Sequence, residues 1–299
     1  MELTNCLINY RRFLKRRNYS RQTVKSYMNL LKHFHSWLPV RVEQATPSHV
    51  GEYIDLLLAR HLHPKTINCH LGSIRCFYNY LRDQEGLDIP NPVKKGISLR
   101  LPRPLPHFLQ EGEVRRFFEV IRKTRDKAIF MLMLRSGMRV EEVANLSLAC
   151  LDLRRRRIMV KHGKGGKDRV VYISQDALET LDAYLRIRPL GKANKLFLVE
   201  KGKYKGKAIS TRGIQKRIEY YARKSGVKIS CHCLRHTMAT QLLNAEADLA
   251  TIQDLLGHRW ITTTQRYCAI SNLKVERDYH RAMAEVVLKS TGGSHGYKH

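Results

Sequence analysis

Residues 157–174 read RIMVKHGKGGKDRVVYIS. Two runs, 157–162 and 169–174, alternate β-branched with polar residues and flank the loop GKGGKD. A period of two on either side of a glycine-rich turn predicts an antiparallel hairpin. The sequence around it has another period. Apolar residues three and four apart predict helices over 110–123, 125–136, 139–147 and 175–188, then over 211–225, 232–245 and 248–256. LFLV at 196–199 offers a third strand. Residues 107–290 therefore read as one α+β domain in which a small antiparallel sheet is embedded among helices.

Upstream the chain reads as helix alone. Ser20 is placed to cap a helix whose Val24, Tyr27, Leu30, Leu31, Phe34 and Leu38 form one stripe. A second stripe runs through Val50, Tyr53, Ile54, Leu57 and Leu58. A third follows Pro64, through Ile67, Leu71, Ile74, Phe77, Tyr78 and Leu81. With residues 3–17 this makes an N-terminal four-helix domain over 1–88. Five of the nine prolines fall between Pro90 and Pro106, which predicts an extended linker over 89–106. Residues 291–299 read as a loose tail. The fold class expected is mainly α with a small antiparallel sheet.

The 299 residues carry 55 Lys and Arg against 26 Asp and Glu, a net charge of +29. Such an excess repels itself unless a polyanion offsets it, and nucleic acid is the leading partner by counterion release. An anionic membrane or a ribosomal surface is the alternative. No apolar run approaches the roughly 20 residues that span a bilayer. MELTNCLINYRR lacks the pattern of a secretory signal, so a cytoplasmic location is expected. Seven scattered cysteines read as reduced, mostly buried thiols. The first domain, through Arg103, is basic by about ten charges and suits a groove-binding clamp as well as a solvated bundle.

The chemistry concentrates in the second domain. In SGMRVEEVANLSL, Arg139 opens a helix after Gly137, with Glu142 one turn on. A planar donor fork there suits phosphate; an Arg–Glu surface pair is the plainer reading. The hairpin loop holds Lys164 and Lys167. It lies between two strands, so it is not a nucleotide-binding phosphate loop. A lysine finger into a DNA groove and a flexible polar tip are the readings left. In SCHCLRHTMATQLLN, His232 and Arg235 share a helical face, with Leu234, Met238 and Leu242 expected toward the core. Cys231, His232, Cys233 and His236 carry zinc-ligating atoms, but their spacings are short for a structural zinc site. LLGH ends at His258 and TTTQRYCAI holds Tyr267; a capping histidine and a half-buried tyrosine would explain them as packing.

Together these side chains make a consistent site: two arginines, a lysine, two histidines and a tyrosine, with no carboxylate pair for a metal. That set suits phosphoryl transfer without a divalent cation, where the main cost is the extra charge on a five-coordinate phosphate. Arg139 and Arg235 would hold non-bridging oxygens and Tyr267 would attack. A tyrosine of pKa about 10 costs roughly 4 kcal/mol to ionise at neutral pH, so nearby cations and a base must help. His232 is the candidate base, Lys164 the candidate acid with Lys167 beside it in the loop, and His258 a hydrogen-bonding partner of the phosphate.

The segments RSGMRVEEVANL, HGKGGKDRVVYI, CHCLRHTMATQLL and LLGHRWITTTQRY, in this order, resemble the tyrosine recombinases, also called the phage integrase family. The Xer-type and mobile-element integrases are most similar. The resemblance covers most of 107–275, and the N-terminal helices resemble the family's core-binding domain. Departures are Cys268 and Ala269 after Tyr267, where many relatives have a polar pair including His, and the cysteines flanking His232. The resemblance implies a site-specific DNA recombinase or integrase using a 3′-phosphotyrosine and a Holliday junction, without ATP, metal or cofactor. It implies double-stranded DNA sites as partner, a tetramer on DNA, an accessory or partner recombinase as a further candidate, no membrane, and a nucleoid-associated location. Residues 272–288 would dock on a neighbouring subunit or pack at home. A DNA-binding protein without cleavage and a type IB topoisomerase-like enzyme are the competing readings. The full set of catalytic residue types argues against the first, the short length and N-terminal clamp against the second.

Overall fold

The computed structural model describes residues 3–102, 107–161, 168–189, 194–257 and 279–287. The chain divides into two compact units, Met1–Arg103 and Pro104–His299.

The first unit holds α1 (Leu3–Arg16), α2 (Arg21–Trp37), α3 (Pro47–Ala59) and α4 (Pro64–Glu85). Local chemistry sets their starts. The Ser20 hydroxyl accepts from the Thr23 N–H at the head of α2, and Thr46 and His49 form a reciprocal cap on α3. Each stripe turns inward, and α4 contributes most, burying Ile67, Leu71, Ile74, Phe77, Tyr78 and Leu81. Buried hydroxyls are paired where the core allows it. Tyr78 donates to the Val42 carbonyl at 2.9 Å, and Tyr53 hydrogen-bonds His70 Nδ1 at 2.9 Å.

Part of the segment expected as an extended linker over 89–106 packs on the first unit. Ile89 and Val93 are buried in the helical core. Asn91 donates to the Arg75 carbonyl and to Asn79, Arg75 donates to the Ile97 carbonyl, and Asn68 pairs in both directions with the Leu99 backbone. Prolines interrupt helix there, but two asparagines and an arginine on or facing α4 satisfy the extended backbone. Residues 89–99 thus belong to the first unit.

The second unit runs α5 (Glu111–Glu119), α6 (Thr124–Ser136), α7 (Val140–Asn145), β1 (Leu151–Asp152), β2 (Arg157–Val160), β3 (Arg169–Tyr172), α8 (Gln175–Ile187), α9 (Thr211–Ser225), α10 (Cys231–Asn244) and α11 (Leu249–Leu256). Helix α6 is central, packed on α8 and α10, with Ala128, Ile129, Phe130, Leu132, Met133 and Leu134 all buried. At its start Asp126 is fully buried, held by Arg125, Arg217 and the Tyr221 hydroxyl, which ties α6 to α9.

The hairpin forms as expected, with Ile158 opposite Val171 and Val160 opposite Arg169. The third strand is not 196–199 but β1, antiparallel to β2. Leu196, Phe197 and Leu198 are buried, yet side chains answer much of their backbone. Arg188 donates to the Leu196 carbonyl, Arg125 to the Leu198 carbonyl, and the Leu198 N–H donates to Tyr184. Among the described residues the run pairs with backbone only through an isolated antiparallel bridge, Leu198 with Ala208, and a few single bonds, not as a strand of the sheet. Residues 279–287 are also helical and exposed. Among the described residues no helix is long and apolar enough to cross a membrane.

Candidate active site

The site is built at the end of α6. Gly137 closes that helix in the left-handed conformation, φ 62°. A Cβ there would stand 2.9 Å from Leu256 Cδ2 and 3.1 Å from Met238 Sδ, so the ends of α6 and α11 and the middle of α10 meet at closest approach. Two residues on, Arg139 caps α7. Its backbone N–H donates to Glu142 Oε2 at 2.8 Å and its guanidinium Nη1 to Oε1 at 3.0 Å. This is the acidic half of a capping box, and it fixes the arginine at the head of the helix.

The last carbonyls of a helix have no partner within it and carry its negative dipole end. At α11 three consecutive ones each accept from a different arginine. Arg169 Nε donates to the Leu255 carbonyl at 2.9 Å, Arg235 Nη2 to the Leu256 carbonyl, and Arg139 Nη2 to the Gly257 carbonyl at 3.4 Å. Arg235 also donates to the Gly137 carbonyl and is 2% exposed. Arg139 keeps 22% of its side chain exposed, and Glu142 only 6%. Burial of Glu142 works against its charge; the hydrogen bonds and charge of Arg169, then those of Arg139, outweigh it and hold the carboxyl below its ordinary range. Three guanidiniums and one carboxylate leave an excess of positive charge where the chain passes from Gly257 to His258.

The structure thus brings together Arg139 and Arg235. Leu234 and Met238 are buried as expected and Leu242 packs on the same cluster, but α10 also buries Arg235, Thr237 and Thr240, so it is covered on every side. His232 lies one turn before Arg235 in the first turn of α10, exposed, with its ring edge-on to His236 at 4.7 Å between centroids. Cys231 and Cys233 are buried instead, and burial pushes the Cys231 thiol up to about 11. Cys233 Sγ is 3.2 Å from His107 Nδ1. Among the described residues no grouping of His, Cys, Asp or Glu is disposed to hold a metal. Lys164, Lys167, His258 and Tyr267 lie outside the described residues.

Comparison with known proteins places this geometry. Residues 107–273 match the phage integrase family, and residues 7–85 match the phage integrase N-terminal SAM-like domain. The chain belongs to the phage integrase family. This integrase is 35% identical to the tyrosine recombinase XerC of Thermodesulfovibrio yellowstonii over 259 residues, which cover 83% of the chain and 85% of the relative. It is 32% identical to XerC of Staphylococcus epidermidis over 277 residues, covering 89% and 92%. In fold it is similar to a lambda integrase (75-356) dimer bound to a COC' core site, with a TM-score of 0.74 at 17% identity over 89% of this chain and 95% of the other. It is a tyrosine recombinase, an enzyme of site-specific recombination.

Two residues of this arginine cluster escaped the sequence reading. Glu142 passed for half of a surface pair, though it is buried. Arg169 drew no notice beside the loop lysines. Alternation did carry a signal: Val171 and Ile173 face inward, so Arg169 two residues earlier falls on the inner face as well. A guanidinium there demands a partner, and Glu142 supplies it, with 2.8 and 2.7 Å hydrogen bonds from Nη1 and Nη2.

Proposed function

We propose that this recombinase cuts and rejoins double-stranded DNA through a 3′-phosphotyrosine on Tyr267. The Tyr267 oxygen attacks the scissile phosphorus, the bond to the 5′ oxygen breaks, and that oxygen leaves as a hydroxyl after taking a proton from Lys164. Arg139 and Arg235 carry the charge that grows on the non-bridging oxygens. His232 accepts the tyrosine proton and His258 hydrogen-bonds the phosphate. A 5′-hydroxyl from a second duplex reverses the step and reseals the strand. The phosphodiester bond energy is kept in the tyrosyl ester, so no ATP is needed, and the arginines supply the charge stabilisation that a metal would otherwise bring. Each unit contributes a basic surface to the duplex. Four subunits act through a Holliday junction in the nucleoid, alone or with a partner recombinase.

The observation that supports this reading is the trio of arginines on the carbonyls of residues 255–257, one carboxylate among them, immediately before His258. Fixed cations of that kind lower the cost of ionising a tyrosine and stabilise a phosphorane without rearranging during the reaction. Covalent capture tests it. Incubated with a library of nicked random duplexes, the wild-type chain should yield a denaturant-resistant protein–DNA adduct, unchanged by EDTA, and Tyr267→Phe none. An adduct in the Phe variant moves the nucleophile elsewhere. Loss of the wild-type adduct with EDTA restores a metal to the reaction.

A further inference from the structure

We infer that Arg169 is a positioning residue of strand cleavage: by saturating Glu142 it keeps the Arg139 guanidinium available to the phosphate. The inference rests on the reading that Arg139 binds the scissile phosphate.

Glu142 accepts four hydrogen bonds among the described residues, from the Arg139 N–H, Arg139 Nη1, and Arg169 Nη1 and Nη2. A carboxylate offers about four lone-pair sites, so this one is full. Arg139 and Arg169 compete for it, and Arg169 takes the bidentate fork. Arg139 is left with one side-chain bond to the carboxylate and one, at 3.4 Å, to the Gly257 carbonyl. A guanidinium has five N–H donors, so among the described residues most of the Arg139 fork remains unspent. If Arg169 is removed, the freed oxygens of Glu142 can draw Arg139 into a bidentate pair, turning its donors from solvent toward the protein. Arg169 also braces the neighbouring strut. Its Nε holds the Leu255 carbonyl, and its stem packs so closely beneath Gly257 that a Cβ there would stand 3.1 Å from Arg169 Cδ. The side chain is 10% exposed, so it acts through Glu142 and α11 rather than on the substrate.

The test uses the full chain and a nicked duplex recovered by covalent capture on the wild type. Single-turnover cleavage at saturating DNA and the Kd for the duplex are measured for Arg169→Ala, Arg169→Lys, Glu142→Gln and the Arg169→Ala/Glu142→Gln double variant, each checked by thermal melting. Misplacement of a catalytic group by about 1 Å costs about 10²-fold, so Arg169→Ala should cleave about 100-fold slower with Kd within about threefold of wild type. Lysine keeps the charge without the fork and should lose about tenfold. Glutamine is a weaker trap for Arg139, so the double variant should cleave faster than Arg169→Ala alone. A wild-type rate in either Arg169 variant, a loss of cleavage explained by Kd, or a double variant slower than Arg169→Ala would overturn the inference. If Arg169→Ala does not fold, the lysine variant decides the matter. Should the wild type capture no DNA, the parent reading of Tyr267 chemistry fails; should wild type and Arg169→Ala capture DNA equally well, only the role of Arg169 fails.

Discussion

Gly137→Ala should destabilise the second unit more than Gly226→Ala, and the two substitutions separate two costs. Both glycines close a helix with positive φ, 62° and 67°. Alanine in the left-handed region costs roughly 1–2 kcal/mol, offset in part by about 0.4–1 kcal/mol from a stiffer unfolded chain. At Gly226 nothing lies within 4 Å of the added Cβ, so the net loss should stay near 1 kcal/mol. At Gly137 the methyl would meet Leu256 Cδ2 at 2.9 Å, and both Leu256 and Met238 are buried with little room to yield. Overpacking adds about 1–3 kcal/mol, for a total near 2–4 kcal/mol. For a unit of this size each kcal/mol moves Tm by about 2–4 °C, so Gly137→Ala should melt about 4–16 °C lower and Gly226→Ala about 2–4 °C lower. Differential scanning calorimetry of the two variants beside wild type reads this directly. Equal losses would mean that the junction of α6, α10 and α11 has slack, and the argument that this junction sets the arginines would fail with it.

Two further perturbations are open to test. His35 is packed against Phe34 and Phe77 with neither ring nitrogen partnered among the described residues, and burial lowers its pKa to about 4. The unfolded chain, at about 6.5, binds more protons between those values, so the first unit should lose stability as pH falls from 6.5 to 4 and level off below; the slope is worth about 2–3 kcal/mol. His35→Phe should flatten it, and urea midpoints at pH 7 and 4.5 that shift as in wild type would refute the assignment. Arg139→Ala and Arg235→Ala should both bind DNA and cleave poorly. Arg235→Ala should also lower Tm, because it strands the Gly137 and Leu256 carbonyls in a buried pocket; equal melting of the two variants would contradict the difference in burial.

The parts of the molecule legible in the sequence are those where one periodicity decides one element. The stripe through Ile67, Leu71, Ile74 and Leu81 fixes the buried face of α4, and alternation about a glycine loop fixes β2 and β3. The family resemblance held for the same reason: four segments, each carrying chemistry-bearing residues at fixed spacing, leave few other folds open. What escaped the sequence depends on tertiary partners. Nothing local distinguishes LFLV in a strand from LFLV whose backbone is met by Arg188, Arg125 and Tyr184. Nothing local says that Asn68, Arg75 and Asn91 fasten a proline-rich segment to α4. Helix α10 was legible for Leu234 and Met238, but the burial of Arg235, Thr237 and Thr240 depends on partners supplied from elsewhere.

Under the proposed function, those partners also explain how a cluster of cations can persist before a phosphate arrives. Three guanidiniums brought to one place repel each other, and matching each with a carboxylate would hold them still while cancelling the field needed for a phosphate. Here one carboxylate is shared by two arginines, and backbone carbonyls do the rest. A carbonyl carries a fraction of a charge, and a helix C-terminus about half of one. It can orient an arginine by hydrogen bonding while leaving most of the positive charge uncompensated. Oriented, underneutralised cations in a partly water-excluded pocket are what a transition state with growing negative charge requires. Under the proposed function the end of α11 acts as part of the electrostatic machinery rather than as a scaffold beside it. Any substitution that tilts its last turn should therefore slow cleavage before it weakens DNA binding.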